Sequence, residues 1–191
     1  MQKGLRIGVD LDGVTYEFEA AFRAWASFRL GRALHLFPPA RRWGWYEDLG
    51  IDRARFHALL AEGVEHGRLF AVGDPVPDAV ESLRALAECH TIVVITHRNL
   101  PGLTAIAEAA THHWLQTQGI PYAELHLTGD KAAVATDIHL DDSPEVIAQM
   151  RASGRRAVVF DQPWNRHVAG ERACGWREFV SLVDSAVPSA A

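Results

Sequence analysis

The sequence predicts an α/β fold in which a parallel sheet carries helices on both faces. Short apolar runs, rich in β-branched residues, recur along the chain and alternate with segments of helical periodicity. A long stretch between the first and the second run breaks this alternation. The first pattern is typical of a buried parallel sheet. The long stretch predicts a helical segment inserted after the first strand.

Five apolar runs are the candidate strands. They occupy residues 7–11, 91–96, 125–128, 137–141 and 157–161. One helical pattern, at residues 77–88, precedes the second run, and another, at residues 102–118, follows it and stops at Gly119. Ser143 and Pro144 suit the cap and the first turn of a third helix. Each later strand is therefore expected to be followed or preceded by a helix, as in a parallel sheet.

About 80 residues separate the first two strands, and a plain crossover needs far fewer. We therefore predict a small helical cap over residues 16–73, and a core formed by residues 1–15 and 74–191. The first cap helix is expected to continue to the break at Phe37-Pro38-Pro39. Its apolar stripe consists of Phe18, Ala21, Phe22, Trp25 and Phe28.

Composition narrows the class of protein. The chain has 191 residues, of which 48% are hydrophobic and 23% charged, and this is typical of a folded globular protein. A formal net charge of −5 argues against general binding of a nucleic acid polymer. Neither a signal peptide nor an apolar run of membrane-spanning length is recognisable. Cys89 and Cys174 are expected to be reduced thiols in a cytoplasmic protein.

The sequence Asp10-Leu11-Asp12-Gly13-Val14 stands at the predicted end of the first strand. Open parallel sheets bind ligands at this edge. Of two carboxylates two residues apart, one can attack phosphorus and the other can give and take protons. Gly13 permits a tight turn with room for a phosphate. An Asp-Gly turn after a strand is also common without any catalytic role, so the pentapeptide alone leaves both interpretations open.

Three later strands end in residues that suit a phosphate site. Thr96 closes the second strand, and its hydroxyl, with the following backbone N–H groups at His97 and Arg98, can hold phosphate oxygens. Lys131 follows the third strand and would supply a positive charge. Asp141-Asp142 closes the fourth strand with carboxylates of the kind that bind Mg²⁺.

Charge balance predicts a cation among these groups. Asp10, Asp12 and Asp142 would bring three negative charges into one cleft, and a phosphate would add up to two more. At about 4 Å, two like charges repel by several kcal/mol at an effective dielectric constant near 20. Mg²⁺ and Lys131 together would offset three charges. We therefore expect Mg²⁺ as the cofactor.

The ordered set of these strand-end residues resembles the four motifs of the haloacid dehalogenase (HAD) superfamily. The resemblance implies a Rossmann-like, HAD-like core with Asp10 as nucleophile and Asp12 as general acid and base. It also implies that Thr96 and Lys131 bind phosphate. Mg²⁺ would then be held by Asp10, Asp142 and the backbone carbonyl of Asp12. An Asp at position 12 is typical of phosphatases and phosphotransferases rather than of dehalogenases.

Within this superfamily the sequence is most similar to the 5′(3′)-deoxyribonucleotidases, the cytosolic type C nucleotidases. Beyond the four motifs, the similarity includes residues 160–166, and it covers the core but little of the cap. It implies hydrolysis of 5′-(deoxy)nucleoside monophosphates through an aspartyl-phosphate. Asp141 stays open between a metal ligand and a supporting residue. We expect a small-molecule substrate and no membrane partner, and a homodimer is left open.

A nucleotide substrate would need an aromatic surface for its base. The candidate substrate-binding rings are Phe18, Trp43, Trp45 and Tyr46. The alternative is that cap rings only pack the cap against the core. This alternative is preferred for Phe22 and Trp25, and both interpretations stay open for Phe18, Trp43 and Trp45.

Other functions fit the same core residues. A phosphatase for another small metabolite, such as a sugar phosphate, would differ only in the cap. A non-catalytic phosphate-binding regulatory module would keep the site without turnover, and a phosphotransferase would pass the phosphoryl group to an alcohol. The ten histidines do not predict a zinc site, because the sequence contains no HExxH motif.

Overall fold

The computed structural model describes residues 4–186, and its centre is one parallel sheet. The strands are β1 (Arg6–Val9), β2 (Thr91–Thr96), β3 (Glu124–Leu127), β4 (Ile138–Asp141), β5 (Arg156–Phe160) and β6 (Arg172–Ala173). They lie in the order β3-β2-β1-β4-β5-β6, and every neighbouring pair is parallel. The predicted α/β class is thereby confirmed.

The α-helices of residues 4–186 are α1 (Phe18–Leu30), α2 (Arg53–Glu65), α3 (Ala79–Ala87), α4 (Thr104–Gln118), α5 (Pro144–Ala152) and α6 (Trp176–Ala186). The sequence signals for two helix ends are confirmed. Gly119 ends α4 in the left-handed conformation, and the Ser143 side chain accepts a hydrogen bond from the backbone N–H of Val146 at the start of α5. Among these described helices, none combines the length and the apolar character that crossing a bilayer requires.

Helices cover both faces of the sheet, as the alternation of strand β5 illustrates. Val158 and Phe160 belong to the larger apolar core, to which α3, α4 and α6 contribute. Ala157 and Val159 point to the opposite face, where they pack with Ile147 and other residues of α5. Burial on both faces explains why the strands read as continuous apolar runs.

Residues 16–73 form α1, α2 and two short 3₁₀ helices, Leu34–Leu36 and Trp45–Leu49. Their apolar side chains make a second core, which includes the fully buried Phe22 and also contacts Ala107 of α4. The inserted segment is therefore helical, as expected. Its packing against α4 connects it to the sheet.

Two expectations for α1 are wrong. The helix ends at Leu30 rather than near Phe37, because Gly31 adopts a left-handed conformation with φ of 62° and closes the helix. Phe28 was assigned to the apolar stripe but its side chain is 74% exposed. Phe22, Trp25 and Ala26 are the buried residues of α1.

The strand boundaries also differ from the predicted ones. β1 ends at Val9, two residues early, because the Leu11 carbonyl accepts hydrogen bonds from the N–H groups of Val14, Thr15 and Tyr16 and turns the chain. β6 and α6 were not predicted. β6 has only two residues, too few for a recognisable pattern. Cys89 and Cys174 are free thiols, as expected.

Candidate active site

The predicted functional residues meet at the carboxyl edge of the sheet. In the register of the central strands, Val9 of β1 lies opposite Val94 of β2 and Leu140 of β4. The residues that follow these positions therefore reach the same edge. Asp10 and Asp142 stand there, and Lys131 reaches the edge from the 3₁₀ helix after β3. This is the edge at which open parallel sheets bind ligands.

The loop after β1 depends on Gly13. Gly13 has φ of 85°, and a Cβ atom at this position would lie 2.6 Å from Oδ2 of Asp142. Any other residue would therefore displace the Asp142 carboxylate. The Thr15 hydroxyl donates to the Asp10 carbonyl at 2.7 Å, and Gln162 Nε2 donates to the Gly13 carbonyl at 2.7 Å. These bonds fix the backbone that carries both candidate catalytic carboxylates.

Lys131 is a buried cation shared between two carboxylates. Its Nζ lies 2.9 Å from Oδ1 of Asp10 and 2.8 Å from Oδ2 of Asp141. Burial acts to lower the pKa of Lys131, but the carboxylates of Asp10 and Asp141 raise it above its ordinary value. The ammonium group therefore stays charged beside the candidate nucleophile.

Both oxygens of Asp141 are occupied. Oδ2 contacts Lys131 Nζ and lies 3.0 Å from His139 Nε2, while Oδ1 accepts from the Ser143 N–H at 2.9 Å. Burial opposes ionisation of Asp141, but Lys131 and His139 lower its pKa below the ordinary value. These contacts favour a supporting role for Asp141, in which it orients Lys131.

Asp10 and Asp142 are ionisable groups without enough positive charge around them. Burial raises the pKa of Asp10 to about 7, although Lys131 opposes the shift. Burial, together with the carboxylates of Asp141 and Asp10, raises the pKa of Asp142 well above its ordinary value. The Asp142 side chain accepts one hydrogen bond, at 3.1 Å from Trp164 Nε1.

The donor set fits a divalent metal ion. Carboxylate oxygens of Asp10, Asp141 and Asp142 lie within 4.8 Å of one another. Since both oxygens of Asp141 already have protein partners, Asp10 and Asp142 are the carboxylates left for an ion. Lys131 offsets the charge of Asp141, and Arg98 offsets that of Asp12. The charges of Asp10 and Asp142 remain, and one divalent cation would match them. The cluster is thus compatible with metal binding.

The three residues at the end of β2 point in different directions. Thr96 is fully buried, and its hydroxyl has no hydrogen-bond partner among residues 4–186. His97 is exposed and lines the cleft. Arg98 is fully buried, and its side chain bonds Asp12 and Thr111 instead of facing the cleft. The three were predicted together as phosphate ligands, and this grouping stays a prediction.

The edge of the sheet opens into a cleft of about 670 Å³. Asp10, Asp12, Lys131 and Asp142 line its floor. The same cleft is lined by aromatic residues of the 16–73 segment, which we call its aromatic wall: Phe18, Trp43, Trp45, Tyr46 and Phe56. Phe22 and Trp25 are buried instead, in agreement with the packing role expected for them.

Sequence reasoning from the motifs missed several supporting residues. Arg53 and His57 of α2 line the cleft. Trp164 donates to Asp142, and Asn165 Nδ2 donates to the Asp142 carbonyl at 2.9 Å. The similarity of residues 160–166 to the nucleotidases was the available signal. His139 and Asp141 stand two residues apart on β4, so the period-two alternation of a strand was the available signal for their contact.

Solved structures share this fold. The defluorinating L-2-haloacid dehalogenase Rha0230 matches with a TM-score of 0.61 at 11% identity, covering 95% of each chain. The HAD hydrolase YfnB from Bacillus subtilis, in a structure bound to magnesium, matches with a TM-score of 0.60 at 15% identity, covering 96% of this chain and all of that one. At such low identity the likeness shows a common HAD fold.

Sequence comparisons identify the family. A protein of Chlorobaculum tepidum named "Putative 5′(3′)-deoxyribonucleotidase" is 34% identical over 183 residues, or 95% of this chain and 91% of that one. The human cytosolic-type 5′(3′)-deoxyribonucleotidase is 26% identical, covering 88% of this chain and 85% of its own. The family profile described as 5′ nucleotidase, deoxy (Pyrimidine), cytosolic type C protein matches residues 4–187. The chain therefore belongs to the cytosolic type C 5′-nucleotidase family of the HAD superfamily.

Proposed function

We propose that this protein is a Mg²⁺-dependent phosphomonoesterase that hydrolyses 5′-(deoxy)nucleoside monophosphates. One observation carries the proposal: buried Asp10, in contact with Lys131 and close to Asp142, lines a cleft that also has an aromatic wall. The Asp10 carboxylate and the Lys131 ammonium group suit a phosphate group, and the rings suit a base. The names of the relatives agree with this substrate class.

In the first step, the Asp10 carboxylate attacks phosphorus in line with the leaving group. The bond between phosphorus and the 5′ oxygen breaks, Asp12 gives a proton to that oxygen, and an aspartyl-phosphate forms on Asp10. Lys131 stabilises negative charge on the phosphoryl oxygens because its ammonium group is buried beside Asp10.

In the second step, Asp12 takes a proton from water, and the oxygen of that water attacks phosphorus. The bond between phosphorus and the Asp10 oxygen breaks, which releases inorganic phosphate and restores the carboxylate. Mg²⁺, held by Asp10, Asp142 and the Asp12 backbone carbonyl, would supply positive charge to the phosphoryl oxygens.

Residues at the end of β2 complete the phosphate site in this proposal. The buried Thr96 hydroxyl lacks a hydrogen-bond partner among the described residues, and a phosphate oxygen would be one. His97 lines the same cleft. The 16–73 segment acts as a cap over this site, and its rings Phe18, Trp43, Trp45 and Tyr46 contact the base.

A nucleotide panel tests the proposal. Phosphate release from dTMP, dUMP, AMP and deoxyribose 5-phosphate is measured with Mg²⁺ and with EDTA, for the wild type and for D10N. We expect Mg²⁺-dependent hydrolysis of nucleotides that D10N loses by at least about 10³-fold. Faster turnover of the sugar phosphate would favour a sugar phosphatase, and no turnover of any ester would favour a non-catalytic module. Light scattering of the same sample decides between a monomer and the homodimer.

A further inference from the structure

The Asp12 carboxylate is held by a single side chain, that of Arg98. Arg98 Nε donates to Oδ1 and Oδ2 of Asp12 at 3.2 and 3.0 Å, and Nη2 donates to Oδ1 at 2.6 Å. Two guanidinium nitrogens that engage both oxygens fix the orientation of a carboxylate as well as its position. Within residues 4–186, no other side chain or backbone group donates to the Asp12 carboxylate.

Arg98 is itself immobilised on every side. Its side chain is fully buried, and its guanidinium carbon lies 4.1 Å from the ring centre of Phe70 and 4.8 Å from that of Tyr16. Nη1 donates to the Thr111 hydroxyl at 3.1 Å. A buried cation is tolerated only where its charge is paired, and the contacting carboxylate is Asp12. The guanidinium is therefore committed to Asp12.

The two rings that enclose Arg98 belong to the two chain segments that join residues 16–73 to the sheet. Tyr16 follows the loop that carries Asp10 and Asp12, and its hydroxyl donates to the Val72 carbonyl at 2.6 Å. Phe70 has φ of 67°, a conformation rare for an aromatic residue, which surrounding contacts must hold in place. The Arg98 site is thus built where both segments meet the catalytic loop.

We propose that Arg98 is a positioning residue, which orients the Asp12 carboxylate for proton transfer and does not bind the phosphate. The inference rests on the proposed function, in which Asp12 is the general acid and base. Without Arg98 the Asp12 side chain would occupy several rotamers, and a misplacement of about 1 Å costs on the order of 100-fold in rate. Phosphate binding, by contrast, would be unaffected.

The choice of leaving group distinguishes a residue that positions Asp12 from one that binds the phosphate. The alkoxide of dTMP needs a proton from Asp12 to depart, whereas the nitrophenolate of p-nitrophenyl phosphate departs without one. The ratio kcat/KM reports only the steps up to the first irreversible one. It therefore measures departure of the leaving group separately from the later hydrolysis of the aspartyl-phosphate. We expect R98M to lower kcat/KM about 100-fold for dTMP and only a few-fold for p-nitrophenyl phosphate. The inhibition constant of inorganic phosphate should change less than about two-fold.

Three further variants complete the test. R98K keeps the charge but cannot engage both oxygens, so we expect an intermediate loss of about 10-fold with dTMP. T111V removes a partner of Arg98 that does not touch Asp12, so we expect a smaller loss with dTMP than in R98K, although the unpaired guanidinium N–H should lower the melting temperature. D12N/R98M should be no slower than D12N, because Arg98 acts only through Asp12. Circular dichroism verifies folding, and R98K decides the outcome if R98M does not fold.

Clear results would overturn the inference. An unchanged kcat/KM for dTMP in folded R98K would show that Asp12 does not need Arg98. Equal losses of kcat/KM with dTMP and p-nitrophenyl phosphate, together with weaker inhibition by phosphate, would show that Arg98 is a phosphate ligand. Hydrolysis of p-nitrophenyl phosphate but of no nucleotide would refute only the nucleotide proposal. Deoxyribose 5-phosphate, which has the same kind of leaving group, would then replace dTMP in the test of Arg98. Hydrolysis of no ester at all would overturn both.

Discussion

The floor and the aromatic wall of the cleft are built in opposite ways. On the floor, Lys131 is 3% exposed, and its Nζ contacts Asp10 and Asp141 at 2.9 and 2.8 Å. On the wall, Trp43 is 62% exposed, and its ring centre lies 6.3 Å from that of Trp164. Ion pairs therefore hold the side chains of the floor in fixed positions, whereas edge contacts between exposed rings hold the aromatic wall less rigidly.

This difference predicts different effects of mutation on the two sides. The side chains of the floor are held by buried ion pairs, so a substitution there alters the stability of the protein as well as its turnover. The wall depends on apolar area, so a substitution there alters substrate affinity and leaves the chemical step intact.

The largest expected contrast lies between two adjacent residues of the floor, Asp141 and Asp142. D141N removes the charge that Lys131 and His139 contact, and should destabilise the protein by about 3 to 5 kcal/mol. D142N removes a carboxylate that is buried beside other carboxylates, and should stabilise the metal-free protein. Urea unfolding at pH 8 in EDTA measures both changes. Two changes of the same sign would contradict our assignment of a paired Asp141 and an unpaired Asp142.

The second prediction concerns Asp10 and pH. Because its pKa in the folded protein is raised to about 7, the folded state holds this proton more tightly than the unfolded chain does. The resulting stability is fully present below about pH 4 and is lost as pH rises through about 7. At about 1.4 kcal/mol per pKa unit, the loss in EDTA should be about 2 to 4 kcal/mol larger for the wild type than for D10N.

Mg²⁺ provides the control for this pH dependence. A divalent cation that binds Asp10 and Asp142 should restore stability to the wild type at pH 8 and should have little effect on D10N. Thermal unfolding at pH 5 and pH 8, with EDTA and with Mg²⁺, gives the comparison. Equal pH profiles for the wild type and D10N would show that Asp10 is not the titrating group.

The contrast between floor and wall also explains what the sequence could predict. Asp10, Lys131 and Asp142 were predicted correctly to meet at one edge, because strand ends in a parallel sheet converge there and apolar runs mark the strands. The contact of Arg98 with Asp12 could not be predicted, because it joins residues 86 positions apart. A local pattern contains no information on such a pair.

Boundaries in the 16–73 segment were harder for a different reason. Phe28 follows Trp25 by three residues, yet it is exposed because a step of about 100° per residue places it about 120° around α1 from the buried Phe22. Apolar spacing describes one face of a helix but not how far the neighbouring element extends. β6 was not predicted, because a strand of two residues is too short to show an alternating pattern.

On the wall, Trp43 and Trp45 should separate binding from packing. Base stacking is worth roughly 1 to 3 kcal/mol, so W43A should raise KM for dTMP about 10-fold without lowering the melting temperature. Trp45 is half-buried, with its ring centre 5.5 Å from that of Phe22, so W45A should also lower the melting temperature. KM for deoxyribose 5-phosphate is the control and should not change in W43A. An unchanged KM for dTMP would show that Trp43 does not touch the base.

The smallest expected effect comes from Arg42, which resembles Arg98 only in the number of its hydrogen bonds. Arg42 donates to Glu47 and Asp48 at 2.9 to 3.3 Å, but its side chain is 51% exposed. Water and salt screen such contacts, so R42A should lower the melting temperature by less than about 2 °C. The shift should vanish in 1 M NaCl, since the Debye length falls to about 3 Å there. A large, salt-independent loss would mean that the loop beside Trp43 is held as rigidly as the floor of the cleft.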